Sequence, residues 1–177
     1  PKVNPELEQK LANTRLLLLD VDGVLTDGSI TYTDSGEQVK TFLSSDGLGI
    51  RLLMDAGIQV GIITGRASDA LRHRCDNLKI SLLFDGIGDK AAALDEISKD
   101  TGIPKAKIAF VGDDLIDLPA MKRVGLAVSV ANACKEVKGN SDMTTKASGG
   151  RGAVREVCEA ILKSKGLWQK ILDRFLA

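Results

Sequence analysis

The sequence has few aromatic residues, few cysteines and no excess of charge of either sign. Aromatic residues make up 3% of its 177 residues, too few for a surface on which nucleic-acid bases would stack. Lysine plus arginine number 24 and aspartate plus glutamate number 24, so no net charge favours nucleic acid or a membrane surface as a partner. The three cysteines, Cys75, Cys134 and Cys158, are widely spaced, which is typical of thiols that act as small apolar residues in a reducing compartment.

Long apolar runs are also missing. No stretch approaches the roughly 18 residues that a membrane-spanning helix needs. The first residues, Pro1 to Glu6, are polar where a secretory leader is basic and then apolar. We therefore expect a cytoplasmic protein without a membrane partner. Because 44% of the residues are apolar and 27% charged, the chain has a globular composition, and its length predicts a single domain over residues 1–177.

The sequence does contain an alternation of short apolar runs and amphipathic segments. The apolar runs end at residues 19, 63, 84, 111 and 130. Continuous runs of this length are typical of strands buried on both faces of a parallel sheet. The amphipathic, helix-like segments lie at about 46–56, 67–77, 89–100 and 114–123. This order predicts an α/β fold with a doubly wound, mostly parallel sheet.

Two parts of the chain break this alternation. Residues 29–42 read as two short strands around Asp34-Ser35-Gly36, which predicts a β-hairpin. After Gly150, helical patterns at about 153–163 and 167–176 predict two C-terminal helices. We expect the hairpin to form a small flap beside the sheet.

Polar residues follow four of the predicted strands. In an open parallel sheet, ligands bind beyond the carboxyl ends of the strands, so these side chains are expected to meet at one edge. They are Asp20 and Asp22, Thr64, Lys90, and Asp113, Asp114 and Asp117. Crowded carboxylates repel one another unless a cation lies between them, and Mg²⁺ prefers such oxygen ligands. With a lysine for phosphate, the set predicts a magnesium-dependent site for phosphoryl transfer.

The same residues resemble the four motifs of the haloacid dehalogenase (HAD) superfamily of phosphatases. The matching segments, in order, are Asp20-Val21-Asp22-Gly23-Val24-Leu25-Thr26, Thr64-Gly65-Arg66, Lys90, and Gly112-Asp113-Asp114 with Asp117. The resemblance implies a Rossmann-like HAD fold. It also implies that Asp20 is a nucleophile forming an aspartyl-phosphate, and that Asp22 protonates the leaving alcohol and then activates water.

The resemblance assigns the remaining motif residues to the metal and the phosphate. Asp20, the backbone carbonyl of Asp22 and Asp113 would bind Mg²⁺. Asp114 and Asp117 would hold metal-bound water or orient Lys90, and Thr64 and Lys90 would hold the phosphoryl oxygens. A carboxylate nucleophile suits this scheme because it is already deprotonated at neutral pH and needs no separate base.

The spacing between the motifs leaves no room for the cap domain that many members of the superfamily carry. Only the hairpin fits between Asp27 and Asp46, and only one helix and one strand fit between Arg66 and Lys90. An uncapped site on a monomer would admit water and select poorly among substrates. We therefore expect a neighbouring subunit to close it.

Further segments extend the resemblance along nearly the whole chain, namely residues 20–28, the hairpin, 45–50, 63–66, 112–120 and 149–156. In these the chain is similar to one capless group of this superfamily, which removes the phosphate from 3-deoxy-D-manno-octulosonate (KDO) 8-phosphate. The similarity implies a homotetramer that releases KDO and inorganic phosphate in lipopolysaccharide precursor synthesis. The residues expected to contact this sugar-acid phosphate are Asp22, Leu43, Ser44, Ser45, Asp46, Gly47, Arg51, Arg66, Arg74 and Lys90. Among the arginines, whose forked donors suit the carboxylate of such a substrate, Arg66 is best placed.

Other interpretations remain open on the residues alone. Ser44-Ser45 stands where this group more often has a bulky residue and an arginine, so a nine-carbon keto-acid phosphate or another sugar phosphate is an alternative, although the retention of Arg66 favours eight carbons. A receiver-like phospho-acceptor domain also combines aspartates, a hydroxyl and a lysine around Mg²⁺, but its acceptor lies on a later strand. A catalytically silent scaffold is a third interpretation. Arg151 is left unassigned.

Overall fold

The structure is a computed structural model that describes residues 4–177. In chain order its helices and strands are α1 (Pro5–Asn13), β1 (Leu16–Leu19), β2 (Thr31–Tyr32), β3 (Gln38–Val39), α2 (Ser44–Asp55), β4 (Gln59–Ile63), α3 (Asp69–Leu78), β5 (Leu82–Phe84), α4 (Lys90–Thr101), β6 (Ile108–Gly112), α5 (Leu118–Met121), β7 (Leu126–Ser129), α6 (Lys135–Gly139), β8 (Met143–Thr144), α7 (Ala153–Ser164) and α8 (Trp168–Leu176). Short 3₁₀ turns at Lys105–Lys107 and Leu115–Asp117 precede β6 and α5.

Six parallel strands form one sheet in the order β5-β4-β1-β6-β7-β8. The central strand, β1, consists of four leucines that are fully buried. Leu19 at its end pairs with Ile62 of β4 on one side and Val111 of β6 on the other. The predicted α/β fold with a doubly wound parallel sheet is confirmed, and residues 4–177 contain no cap domain. The first residue after the central strand is Asp20.

Helices α2 and α7 pack closely because a glycine lies at their contact. A Cβ atom on Gly49 of α2 would lie 2.9 Å from Cδ of Arg155 and 3.3 Å from Cβ of Cys158 in α7. Helix α7 buries one continuous face, formed by Ala153, Val154, Val157, Cys158, Ile161 and Leu162. The two predicted C-terminal helices match α7 and α8 to within one residue. None of the helices in residues 4–177 is long and apolar enough to cross a membrane.

The hairpin pairs β2 with β3 in antiparallel fashion, apart from the main sheet. Its turn is closed by the amide of Thr33, which donates to the carbonyl of Glu37, and by the amide of Gly36, which donates to Thr33. Gly36 has a φ of 84°, which a glycine adopts without strain. Each strand spans only two residues, so the predicted flap of residues 29–42 is mostly loop.

The sequence pattern missed some short elements and placed some ends wrongly. Helix α3 begins at Asp69 rather than 67, because the Ser68 hydroxyl accepts from the amide of Leu71 and so caps the helix. The segment predicted at 114–123 is a 3₁₀ turn followed by a four-residue helix, since Pro119 lacks the amide that would continue one helix. Elements α1, α6 and β8 were not predicted, and β8 is too short to give a pattern.

Candidate active site

The site begins with Asp20, the residue that follows β1. Its side chain is buried and its amide donates to the carbonyl of Val111 at 3.1 Å. The chain then turns sharply, because the amides of Val24, Leu25 and Thr26 all donate to the carbonyl of Val21 at 2.9–3.1 Å. This tight turn fixes the position of Asp20 and presents Asp22 at the rim of the same crevice.

A lysine lies at the centre of the buried part of the site. Lys90 is the first residue of α4, which Asp89 caps by accepting from the amides of Ala91 and Ala92. The Nζ atom of Lys90 is 2.9 Å from Oδ1 of Asp20 and 2.6 Å from Oδ1 of Asp117. All three side chains are at most 5% exposed. The residues at the end of the sheet and the first residue of α4 therefore form a buried cluster of one ammonium group between two carboxylates.

The cluster shifts the proton affinities of its members. Burial, and then repulsion from Asp117, raises the pKa of Asp20 to about 6, with Lys90 opposing the shift. Burial by itself would lower the pKa of Lys90, but the charges of Asp20 and Asp117 outweigh burial and raise it. Lys90 therefore remains a cation beside Asp20.

Asp113, two residues into the fourth motif, adds a further carboxylate without a partner. Burial, followed by the charges of Asp20, Asp117 and Asp114, raises the pKa of Asp113 to about 8. Within residues 4–177, no hydrogen-bond donor contacts its carboxylate. A Cβ atom on Gly23 would lie 2.0 Å from Oδ2 of Asp113, so the carboxylate sits directly over that glycine. One lysine does not balance the negative charge gathered here.

These aspartates fit a divalent cation. One oxygen from each of Asp20, Asp113 and Asp117 lies within 4.8 Å of the others, and hard oxygen donors are what Mg²⁺ prefers. Asp117 is already occupied: its Oδ1 accepts from Lys90 and its Oδ2 from the amides of Asp113 and Asp114. Asp20 and Asp113 are therefore the candidate ligands, whereas Asp117 contacts Lys90 and the turn that carries Asp113.

Asp22 is held by a residue that the sequence did not single out. Lys40, just after β3 of the hairpin, places Nζ 2.6 Å from Oδ1 of Asp22. Arg66 lies on the other side, with Nε 3.8 Å from Oδ2 of Asp22. The only available signal for Lys40 is its spacing from Gln38, which puts both on one face of a short strand. That spacing does not reveal where the hairpin folds back.

Thr64 and Arg66 complete the crevice at the end of β4. Thr64 is buried, with its amide donating to Phe84 and its carbonyl accepting from Ile87. The crevice has a volume of about 240 Å³. Its wall carries Asp20, Asp22, Gly28, Ile30, Thr64, Gly65, Arg66, Asp113, Asp114 and Ile116. All four sequence motifs therefore meet around one small, open cavity, with Lys90 beneath it.

Comparison with known proteins agrees with this geometry. Residues 80–157 match the family model for haloacid dehalogenase-like hydrolases. The 3-deoxy-D-manno-octulosonate 8-phosphate phosphatase of Salmonella typhimurium is 44% identical over 93% of this chain and 87% of its own length. The chain belongs to the haloacid dehalogenase-like hydrolases.

Solved structures of such hydrolases also superpose closely on this one. A 3-deoxy-D-manno-octulosonate 8-phosphate phosphatase from Moraxella catarrhalis, in complex with a magnesium ion, a phosphate ion and a KDO molecule, matches with a TM-score of 0.95 and 41% identity. That match covers 98% of this chain and 99% of the other. The enzyme from Yersinia pestis matches with a TM-score of 0.93 and 42% identity, covering 94% and 90%. The resemblance to this group of HAD-like hydrolases is therefore confirmed in both sequence and fold.

Most of the residues expected to contact substrate lie outside the cavity of this hydrolase chain. Asp46 is buried, and its Oδ1 accepts from the amide of Arg155 at 2.9 Å, so it caps α7 from a neighbouring helix. Arg74 donates to the carbonyl of Leu43 at 3.3 Å, and Arg51 to that of Asn77 at 3.4 Å. Ser44 and Ser45 are exposed, and Gly47 is buried against Arg74. Of this set, Asp22 and Arg66 line the cavity.

A glycine pair supports the first motif from behind. A Cβ atom on Gly149 would lie 1.7 Å from the carbonyl oxygen of Gly23, and one on Gly150 would lie 2.5 Å from the amide of Asp27. The amide of Gly150 donates to the carbonyl of Val24 at 3.0 Å. Arg151, which follows, is exposed, 3.7 Å from Asp27. The paired glycines were the available signal for this contact between two backbones.

Proposed function

We propose that this chain is a magnesium-dependent phosphatase that hydrolyses KDO 8-phosphate to KDO and inorganic phosphate. The observation that carries this proposal is the buried cluster of Asp20, Lys90 and Asp117 beside the unpartnered carboxylate of Asp113. It lies in a chain that is 44% identical to a phosphatase named for that substrate. The cluster provides an anionic nucleophile, a fixed cation for phosphate and ligands for a metal.

The proposed reaction uses Asp20 as the nucleophile and Asp22 as the acid and base. A carboxylate oxygen of Asp20 attacks phosphorus, and the bond from phosphorus to the sugar oxygen breaks as Asp22 gives that oxygen a proton. Water then attacks the phosphorus of the aspartyl-phosphate, Asp22 takes up a proton from it, and phosphate leaves with Asp20 restored. Thr64 and Lys90 hold the phosphoryl oxygens in both steps.

Asp20, Asp113 and the backbone carbonyl of Asp22 would hold Mg²⁺, with Asp114 beside it. The ion supplies positive charge that offsets the repulsion between the carboxylate nucleophile and an anionic phosphate. At the other end of the substrate, Arg66 is the candidate for the carboxylate, because its guanidinium is half exposed at the cavity wall.

The proposal includes a homotetramer in which a neighbouring subunit closes the site. Support comes from the small, open cavity and from apolar side chains that the hairpin leaves exposed, namely Ile30, Tyr32 and Val39. A second copy of the chain would cover both. Light scattering coupled to gel filtration tests this point: a monomer with full activity at assay concentration contradicts it. We place the enzyme, as one capless domain, in cytoplasmic synthesis of a lipopolysaccharide precursor.

The deciding experiment measures phosphate release from KDO 8-phosphate and from its nine-carbon analogue, each with Mg²⁺ and with EDTA. We expect fast release from the eight-carbon acid, slower release from the nine-carbon acid, and loss of both in EDTA. Equal or faster release from the nine-carbon acid would contradict the proposed substrate. Turnover that EDTA does not reduce would contradict the metal-dependent mechanism.

A further inference from the structure

The carboxylate of Asp22 receives a short, charge-assisted contact from the hairpin flap, residues 29–42. Nζ of Lys40 is 2.6 Å from Oδ1 of Asp22, and the Lys40 side chain is 3% exposed while that of Asp22 is 20% exposed. Hydrogen bonds between charged groups are about twice as strong as those between neutral ones. Asp22 stands at the rim of the cavity, where a free carboxylate would rotate, and Lys40 restricts it to one orientation.

The same contact attaches the flap to the rest of the chain. Within residues 4–177, the bond from Lys40 to Asp22 is the only side-chain hydrogen bond that joins residues 30–41 to another part of the molecule. A cleft of about 380 Å³ separates Glu37 and Gln38 of the flap from the first turn of α3. Phe42 at the base of the flap packs against the core, so the ion pair from Lys40 is the polar link between the rest of the flap and the carboxyl edge of the sheet.

Arg66 has a different relation to Asp22. Its Nε is 3.8 Å from Oδ2 of Asp22, and its side chain is 50% exposed. A long contact of an exposed group contributes little to holding a carboxylate in place. Lys40 therefore holds the side chain of Asp22 in place, and the guanidinium of Arg66 is left to bind an anionic group of the substrate.

We propose that Lys40 is a positioning residue for the reaction, which acts by holding Oδ1 of Asp22 so that Oδ2, the oxygen that carries the proton, faces the leaving oxygen, and by tying the flap to that side chain. This inference rests on the proposed function, in which Asp22 carries the proton. A misplacement of about 1 Å at a reacting group costs up to about a hundredfold in rate. The position of the flap and the proton transfer are thereby linked through one side chain.

The first test replaces Lys40 with methionine, which keeps the length of the side chain and removes its charge. We expect kcat on KDO 8-phosphate to fall about 10- to 100-fold with a smaller change in KM, and Lys40→Arg to recover part of it. Lys10→Met is the matched control, because Lys10 forms a 2.7 Å pair with Asp142 on another part of the molecule. Its kcat should be that of the wild type.

A second measurement separates proton transfer from general damage. In a single turnover of 4-nitrophenyl phosphate, the leaving group departs without a proton, so release of 4-nitrophenolate by Lys40→Met should stay within about threefold of the wild type. A loss there as large as on KDO 8-phosphate would mean that Lys40 supports the whole site, and it would overturn the proposed role.

A double-mutant cycle decides whether Lys40 acts through Asp22. Once Asp22→Asn has removed the proton donor, adding Lys40→Met should cost little more, because coupled residues are not additive. Losses that multiply would overturn the proposal. A wild-type chain that hydrolyses other sugar phosphates but not KDO 8-phosphate would contradict the proposed substrate instead, and the same cycle on those sugar phosphates still decides the role of Lys40.

Discussion

Two lysines of the site contact aspartates, and their surroundings differ. Lys90 extends from the first turn of α4 to Asp20 and Asp117, and all three side chains are at most 5% exposed. Lys40 extends from the flap to Asp22, whose side chain remains 20% exposed. The contacts of Lys90 join elements that the central sheet already holds together. The arrangement around Lys40 joins the sheet edge to a hairpin that has few other polar contacts with the rest of the molecule.

This difference separates the part of the site that is fixed from the part that adapts. The proposed nucleophile, Asp20, and its neighbour Lys90 are positioned by the ends of β1 and β6 and by the start of α4, so their geometry follows from the fold. Asp22 depends on a loop, and loops tolerate changes that the scaffold does not. We therefore expect variation in substrate preference to arise at the flap, while the chemistry at Asp20 stays the same.

Removing the proposed nucleophile, Asp20, should have the largest effect. Asp20→Asn should lower kcat by about 10⁴-fold or more, because an amide oxygen does not replace the attacking carboxylate. Steady-state phosphate release measures this, with Asp95→Asn, an exposed aspartate of α4, as a control that keeps full activity. Circular dichroism checks that both variants fold. Substantial turnover by a folded Asp20→Asn would contradict the covalent mechanism.

Replacing Lys90 or Lys40 with methionine shows how much the contacts of each lysine contribute to the free energy of unfolding. Lys90→Met leaves two buried carboxylates without a counter-charge, which should lower the free energy of unfolding by about 3–5 kcal/mol. Lys40→Met leaves Asp22 partly open to water, so we expect a loss of at most about 1 kcal/mol. Urea unfolding at pH 7 in EDTA measures both. Equal losses would mean that the flap is as firmly built as the sheet edge.

The sequence predicted the fixed part of the site better than the adaptable part. Asp20, Thr64 and Asp113 follow buried strands, and parallel strands end at one edge, so their convergence could be inferred before any coordinates. Lys40 could not be found this way, because its contact depends on how a loop folds back in three dimensions. Nor did the sequence reveal that Asp46 faces the interior, since an aspartate that caps a helix distant in the chain leaves no local pattern.

Asp46 is a buried carboxylate outside the cavity, and its pKa can be compared with those of the active-site carboxylates. We expect its replacement to have the smallest effect. Burial raises its pKa, although the amide of Arg155 and the charges of Arg74 and Arg155 oppose the shift. In α7, burial and then the charge of Asp46 raise the pKa of the Cys158 thiol. An acid whose pKa is raised by folding binds its proton more tightly in the native state, so its contribution to stability is present at low pH and is lost as pH rises.

Asp46→Asn should therefore change stability in a pH-dependent way. Asparagine does not titrate and keeps an oxygen to accept from Arg155, so its stability relative to the wild type should increase as pH rises from about 4 through the raised pKa of Asp46. Asp46→Ala does not titrate either and removes the cap as well, so it should be about 1 kcal/mol less stable than Asp46→Asn at every pH. Urea unfolding of the three proteins across this range gives the curves. A difference between Asp46→Asn and wild type that does not change with pH would show that Asp46 has no raised pKa, and that burial here is compensated by its arginines.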